Sequence, residues 1–281
     1  MVKETKTLSN ENLIELRNLK KSFGAQEVLK GVSLSIRKGE TMVIIGTSGG
    51  GKSVILKHCI GLLQPDAGEV VVDGIIISSS THINTKIIRQ RMGMLFQGAA
   101  LFDSMNVGEN IKFALREQNK NLKEKDLDDI VAEKLRLINL SPDFRFKMPS
   151  ELSGGMKKRL GLARAIALNP SIILYDEPTT GLDPITSDVI NDLILDMQYK
   201  LKVTSIVVTH DMVSAMKIAD RIAMLYEGRI IFTGTPDELK SAENPYLRQF
   251  VNGQRYLPTD PVLERAREEA DRVKVDTLDR R

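Results

Sequence analysis

Cysteine is nearly absent: Cys59 stands alone among 281 residues. A single thiol excludes an internal disulfide and a cysteine-based zinc site, and its place on the apolar face of an expected helix suits a small buried hydrophobe. The cytosol fits this usage. No run of residues approaches the roughly 18 apolar positions of a membrane span, so any membrane role is expected to come through a partner. The opening residues, Met1-Val2-Lys3-Glu4-Thr5-Lys6, have no secretory-leader core. Charge of one sign is also lacking. The 40 Lys and Arg are balanced by 37 Asp and Glu, which leaves no field that argues for nucleic acid. There is no internal repeat, low-complexity segment or heptad insertion. A chain of this length buries roughly three-quarters of its extended surface and folds without staples.

What is present is organised around residues 46–53, Gly46-Thr47-Ser48-Gly49-Gly50-Gly51-Lys52-Ser53, which fit G-x-x-x-x-G-K-[ST]. An apolar strand (42–45) precedes them. A helix follows from Gly51, with Ile55, Cys59 and Leu62 expected on one face. Glycines let successive backbone N–H groups turn toward a polyphosphate, and the helix N-terminus adds orphan donors. Lys52 can then reach the β- and γ-phosphates of a bound polyphosphate, and Ser53 can ligate Mg²⁺. A chance match in a chain of average composition is on the order of one per cent.

Before this loop, residues 13–16 and 28–36 read as strands with Phe23 between them, open to either a core or a stacking role. After it, residues 69–72 and 75–77 flank Asp73-Gly74, a two-residue hairpin signal. The run Met92-Gly93-Met94-Leu95-Phe96 leads to Gln97, where the pattern turns helical, with helices expected at 110–115 and 122–138. Gly98-Ala99-Ala100-Leu101-Phe102 is a short apolar stretch that suits either core or an exposed docking patch.

Leu152-Ser153-Gly154-Gly155-Met156 opens a helix whose Met156, Leu160, Ala163 and Ala167 share a face. Two glycines at its start make a second anion site, or a Ser cap with permissive glycines. Lys157-Lys158-Arg159 reads as a solvated face. Ser171-Ile172-Ile173-Leu174-Tyr175 is a buried-type strand ending in Asp176-Glu177-Pro178, and open α/β sheets bind ligands at such strand ends. Asp176 can hold Mg²⁺, and Glu177 can orient or deprotonate an attacking water. After Gly181-Leu182-Asp183-Pro184 and a long helix, the strand 203–208 leads to His210, beside the expected γ-phosphate. His58 and His82 read as structural. Strands at 221–226 and 229–233 flank Glu227-Gly228.

Taken together, residues 12–252 resemble an ATP-binding cassette (ABC) ATPase, with that family's motifs in order. The resemblance implies an α/β fold: a P-loop, RecA-like core (12–97 and 164–252) with an antiparallel β subdomain, and an inserted helical subdomain (98–163) carrying the signature. Residues 1–11 are expected to be frayed. Gly46 to Ser53 correspond to the Walker A loop, with Val54 next to it at the nucleotide. Gln97 corresponds to the Q-loop, implied to contact Mg²⁺ and couple it to the docking surface. Ser153, Gly154 and Gly155 match the signature, Asp176 and Glu177 the Walker B end, Asp183 the D-loop and His210 the switch histidine. Phe23 matches the adenine-stacking aromatic. Two such cassettes pack head to tail, so Ser153, Gly154, Gly155 and Asp183 would serve the ATP held by the partner. Met156 departs from the family's usual glutamine. With residues 96–105 and 47–51, it resembles the ATPases of Mce/Mla-type phospholipid transporters. That implies a cassette dimer on the cytoplasmic side of the inner membrane, held by permease subunits, with an Mce-type lipid-binding protein. Alternatives are a small-solute importer, a soluble ABC factor or a P-loop kinase. The charged tail 253–281, with Leu263, Ala266, Ala270 and Val273 at helical spacing, is expected to be a helix packed on the dimer partner, a helix packed on its own cassette, or a frayed end.

Overall fold

A computed structural model describes residues 11–78 and 82–251. These fall in two compact units, one ending at Pro236 and the other beginning at Asp237. The strands are β1 (Asn12–Phe23), β2 (Gln26–Arg37), β3 (Thr41–Ile45), β4 (Ala67–Val72), β5 (Ile75–Ile76), β6 (Met92–Leu95), β7 (Ile172–Asp176), β8 (Thr204–Thr209), β9 (Arg221–Tyr226) and β10 (Arg229–Gly234). The helices are α1 (Lys52–Cys59), α2 (His82–Gln90), α3 (Val107–Gln118), α4 (Glu124–Leu137), α5 (Gly154–Ala165), α6 (Pro184–Leu201), α7 (Met212–Ile218), α8 (Pro236–Ser241) and α9 (Pro245–Val251).

The first unit holds two sheets. One is antiparallel, in the order β2-β1-β4-β5. It buries one face through Ile14, Leu16, Val32, Leu34, Ile36, Val70 and Val72, as half-covered antiparallel strands do. The β4–β5 hairpin turns at Asp73 and Gly74, both at positive φ (51° and 74°), the backbone that matches the twist of a two-residue turn. The other sheet runs β10-β9-β3-β8-β7-β6 and is parallel except for the β9–β10 hairpin. All of β3, β7 and β8 is buried, which explains their continuous apolar runs. The expected α/β class with an antiparallel second sheet and a helical insertion is therefore observed, and α3, α4 and α5 come between β6 and β7.

Local chemistry sets the helix boundaries. Asn106, Ser153, Asp183 and Asp211 cap α3, α5, α6 and α7 by accepting a backbone N–H, and Pro184 occupies the first position of α6. Helix α1 ends one turn earlier than its apolar spacing suggests. Gly61 at φ 70° closes it, with the Gly61 and Leu62 N–H groups donating to His58 and Lys57 carbonyls. Ile55 and Cys59 are buried as expected, but Leu62 lies past the helix and is exposed. Similarly, Ala167 is buried yet falls beyond α5. Helix α2 was not anticipated, and β1 continues to Phe23 instead of stopping near Leu16. In the second unit, α9 follows α8, and Leu239 and Leu247 are buried. The tail helix proposed from Leu263 to Val273 lies outside the described residues, as does the His82 side chain.

Candidate active site

Strands β3, β7 and β8 are parallel neighbours, so the loops leaving their C-terminal ends share one edge of the sheet. The loop after β3 approaches other backbone closely. Gly46 has φ 153°, and a Cβ there would lie 2.4 Å from the Leu225 carbonyl oxygen. Gly51, at φ 101°, precedes α1, and its Cβ would meet Val28 Cγ1 at 2.9 Å. Neither position accepts a side chain without displacement. Thr47, Ser48 and Gly49 are exposed and Gly50 half-buried, whereas the Val54 side chain packs on the core cluster.

Lys52 is buried at 5% exposure, and its Nζ donates to the carbonyls of Gly46 (2.9 Å) and Thr47 (3.0 Å). The same Nζ lies 3.5 Å from Glu177 Oε1. Ser53 Oγ donates to Asp176 Oδ1 at 2.7 Å, across 123 residues of sequence. Glu177 Oε2 accepts from Thr180 Oγ1 at 3.0 Å and pairs with His210 Nδ1 at 2.9 Å. Glu177 itself adopts φ 48° and donates its N–H to the Val208 carbonyl on β8. Left-handed backbone at a non-glycine residue costs of order 1–2 kcal/mol and is found where surroundings over-determine it. Here the strained turn directs the carboxylate at both Lys52 and His210.

The hydroxyl of Ser53 beside the carboxylate of Asp176 is a hard oxygen pair, the donor chemistry that suits Mg²⁺. No cluster of three or more His, Cys, Asp or Glu side chains placed for a metal occurs among the described residues. Two oxygen ligands fit a cation whose remaining positions come from phosphate and water.

The model of the ABC transporter family matches residues 29–180. The chain belongs to the ABC transporter family. It is an ATP-binding subunit of that family and an ATPase. It is 44% identical over 245 residues to the probable ribonucleotide transport ATP-binding protein mkl of Mycobacterium leprae, covering 87% of this chain and 70% of that one. It is 39% identical to the intermembrane phospholipid transport system ATP-binding protein MlaF of Escherichia coli (strain K12), covering 86% and 89%. Among solved structures, it is similar to a dimeric ATP-binding cassette in a post-hydrolysis state bound to ADP and Pi, with a TM-score of 0.73, 32% identity, and coverage of 79% and 98%.

Among the described residues, Ser153, Asp183, Gln97, Phe23 and His58 make no side-chain hydrogen bond to Lys52, Ser53, Asp176 or Glu177. Ser153 is exposed, and its Oγ accepts from the Met156 N–H at 3.3 Å. Among the described residues, no hydrogen bond links 153–156 to 46–53. Gly155 is buried because α5 meets the start of α6: a Cβ there would lie 2.3 Å from Thr186 Cγ2. Asp183 caps α6, accepting from Thr186 N (3.0 Å) and Oγ1 (2.6 Å), and those bonds hold its carboxyl below the usual range. Gln97 is exposed, and its backbone carbonyl accepts from Lys158. Phe23 is 47% exposed rather than in the core, with Lys21 Nζ 5.7 Å from its ring centre. His58 is buried, pairs with the Val54 carbonyl, and is kept below its ordinary pKa by burial.

The triplet 157–159 is not a solvated face. Lys158 is 6% exposed, and Arg159 Nη1 donates to the Asn139 carbonyl. Gly155, Lys158 and Leu162 recur at three and four residues and are all buried; that helical spacing was the overlooked signal. Thr180, which steadies Glu177, and Asn110, which organises residues 102–106, left no comparable mark in the sequence.

Proposed function

We propose that two copies of this cassette hydrolyse Mg-ATP between them and thereby drive a membrane permease that moves phospholipid. The observation that carries the reading is the convergence of Lys52, Asp176, Glu177 and His210 at one sheet edge, while Ser153 and Gly154 stay exposed and apart from it. A site complete for phosphate and incomplete for the signature suits a second cassette that brings its own residues 153–155 and Asp183. Lys52 would neutralise charge on the β- and γ-phosphates, and Ser53, Asp176 and the Gln97 side chain would hold Mg²⁺, which supplies further neutralisation. Glu177, steadied by Thr180, accepts a proton from water. His210 then stabilises the transferred phosphoryl group, and Phe23 offers its exposed ring to adenine.

The docking surface is the segment 98–102. Ala99 is buried, but Leu101 and Phe102 are half-buried and Ala100 is exposed. Ala100 lines a groove of about 320 Å³ with Ile60, Leu62, Phe96 and Phe113, apolar residues that suit an inserted permease helix. MlaF is matched over 89% of its length, which favours phospholipid as cargo and the cytoplasmic face of the inner membrane as the location. An Mce-type lipid-binding protein would complete the assembly. The name of the mkl relative makes ribonucleotide the second reading.

Glu177→Gln tests the catalytic core, because the amide keeps the shape of the side chain and cannot take a proton. Turnover should fall by roughly 10²–10⁴-fold, and Mg-ATP should hold the variant as a dimer in size-exclusion chromatography. A variant that stays monomeric, or that hydrolyses ATP at the wild-type rate, removes Glu177 from this role. Purifying the complex from detergent-solubilised membranes and identifying bound lipids by mass spectrometry tests the cargo. A permease without phospholipid would turn the reading toward ribonucleotide.

A further inference from the structure

Lys158 is a buried ammonium whose two hydrogen bonds go to main-chain carbonyls. Its Nζ donates to the Gln97 oxygen at 2.5 Å and to the Glu177 oxygen at 3.1 Å. Burial pushes its pKa down, and the charges of Asp176 and Glu177 oppose that effect. A cation kept at such a position must contribute something that an apolar side chain would not, since desolvating it is unfavourable.

Its placement relative to the sheet is specific. The parallel ladder between β6 and β7 ends at the pair Leu95 and Tyr175. Gln97 and Glu177 each stand two residues past that pair, where the ladder has stopped. Lys158 spans the gap, so one ammonium replaces the missing strand-to-strand bonds. The Glu177 peptide is consequently held at both ends, its N–H by Val208 on β8 and its carbonyl by Lys158. Between these anchors lies the left-handed φ of 48° that directs the carboxylate toward Lys52 and His210.

Helix α5 grips the segment after β6 a second time. Arg164 Nη1 donates to the Ala100 carbonyl, and its guanidinium carbon lies 4.7 Å from the Phe102 ring centre. Two cations on one helix therefore tie down the segment 97–102, and the nearer one also holds Glu177.

We propose that Lys158 is a positioning residue for hydrolysis: by joining the carbonyls of Gln97 and Glu177 it keeps the Glu177 turn aimed, and makes that aim depend on the segment that docks a permease. The proposal rests on the reading of Glu177 as proton acceptor given above.

The test uses the full chain with Lys158→Met, Lys158→Gln, Lys158→Arg and Glu177→Gln. Steady-state kcat and KM, Mg-ATP affinity and melting temperature are measured for each. Lys158→Met should lower kcat by about tenfold or more, since misplacing a reacting group by ~1 Å can cost ~10²-fold. KM and ATP affinity should stay within about twofold, because the phosphate loop is untouched. Lys158→Arg, which can still donate to both carbonyls, should restore most of kcat. If Lys158→Met does not fold, Lys158→Gln carries the comparison, because a neutral, shorter donor cannot span both carbonyls. Wild-type kcat in the Met or Gln variant overturns the proposal. So does a loss of kcat that tracks melting temperature and is not rescued by Arg. Wild-type turnover in Glu177→Gln would instead remove the parent reading, whereas an inactive Glu177→Gln beside an unaffected Lys158→Met would sink this inference alone.

Discussion

Replacing Asn110 by aspartate should turn a silent structural residue into a pH-dependent fault. Asn110 is 1% exposed on α3. Its Oδ1 accepts from the Phe102 N–H at 2.9 Å, and its Nδ2 donates toward the carbonyls of Phe102 (3.1 Å), Met105 (2.9 Å) and Asn106 (3.0 Å). Asp has the same shape and keeps the first bond, but presents an oxygen to three oxygens. The buried acid can escape only by taking a proton. At about pH 7 this costs roughly 1.36 kcal/mol for each unit above its unfolded pKa of ~3.9, hence about 4 kcal/mol. The folded-state pKa is thus raised, so the penalty grows as pH rises above the unfolded value. It should shrink to about 1.5 kcal/mol at about pH 5. Asn110→Ala separates charge from lost bonds. The Phe102 and Asn106 carbonyls keep partners in Met105 N–H and Asn110 N–H, so only Met105 O and Phe102 N–H are stripped. Their loss should cost about 2–3 kcal/mol at either pH. Urea unfolding of wild type and both variants, compared at each pH, measures this. An Asp variant within about 0.5 kcal/mol of wild type at neutral pH, or a deficit that does not shrink on acidification, would refute the reasoning.

Three further outcomes are expected. Gly93→Ala should lower the melting temperature by roughly 5–10 °C, because the new Cβ would lie 2.2 Å from the Ala165 carbonyl oxygen and β6 and α5 must separate; differential scanning calorimetry measures it, and an unchanged midpoint contradicts the packing described. Cys59 is fully buried with its thiol pushed up to about 12, so a thiol reagent should label it in denaturant and not in buffer; rapid labelling of the native chain would refute that burial. Lys52→Ala and Ser153→Arg chains, each inactive alone, should recover part of the activity when mixed, since a mixed dimer holds one intact site. Absence of activity where mixed dimers are detected counts against a signature acting across the interface.

How much could be read from the chain alone differs between neighbouring residues. The loop 46–53, the acidic pair at the end of β7 and the hairpins at Asp73-Gly74 and Glu227-Gly228 were legible because each is a local pattern. Turn chemistry, helix starts and alternation depend on residues within a few positions of one another. Local rules were weaker at boundaries. The closure of α1 at Gly61 excluded Leu62, and in residues 78–85 only Ile83 interrupts a polar run, too little to announce α2.

The sequence by itself determined that a G-x-x-x-x-G-K-[ST] loop, a Leu-Ser-Gly-Gly segment and an acidic pair exist, and that they sit at the starts of helices and the end of a strand. Only the tertiary structure decided that Ser53 meets Asp176, that Glu177 lies between Lys52 and His210, and that Lys158 is buried rather than solvated. The order β3-β8-β7-β6 brings together residues far apart in sequence, Ser53 and Asp176 across 123 positions among them. Such an order follows from which apolar faces pack best, a property of the whole chain. Burial of a lysine is decided in the same way: a charged residue shows its environment only when the helix carrying it has been laid against strands distant in sequence.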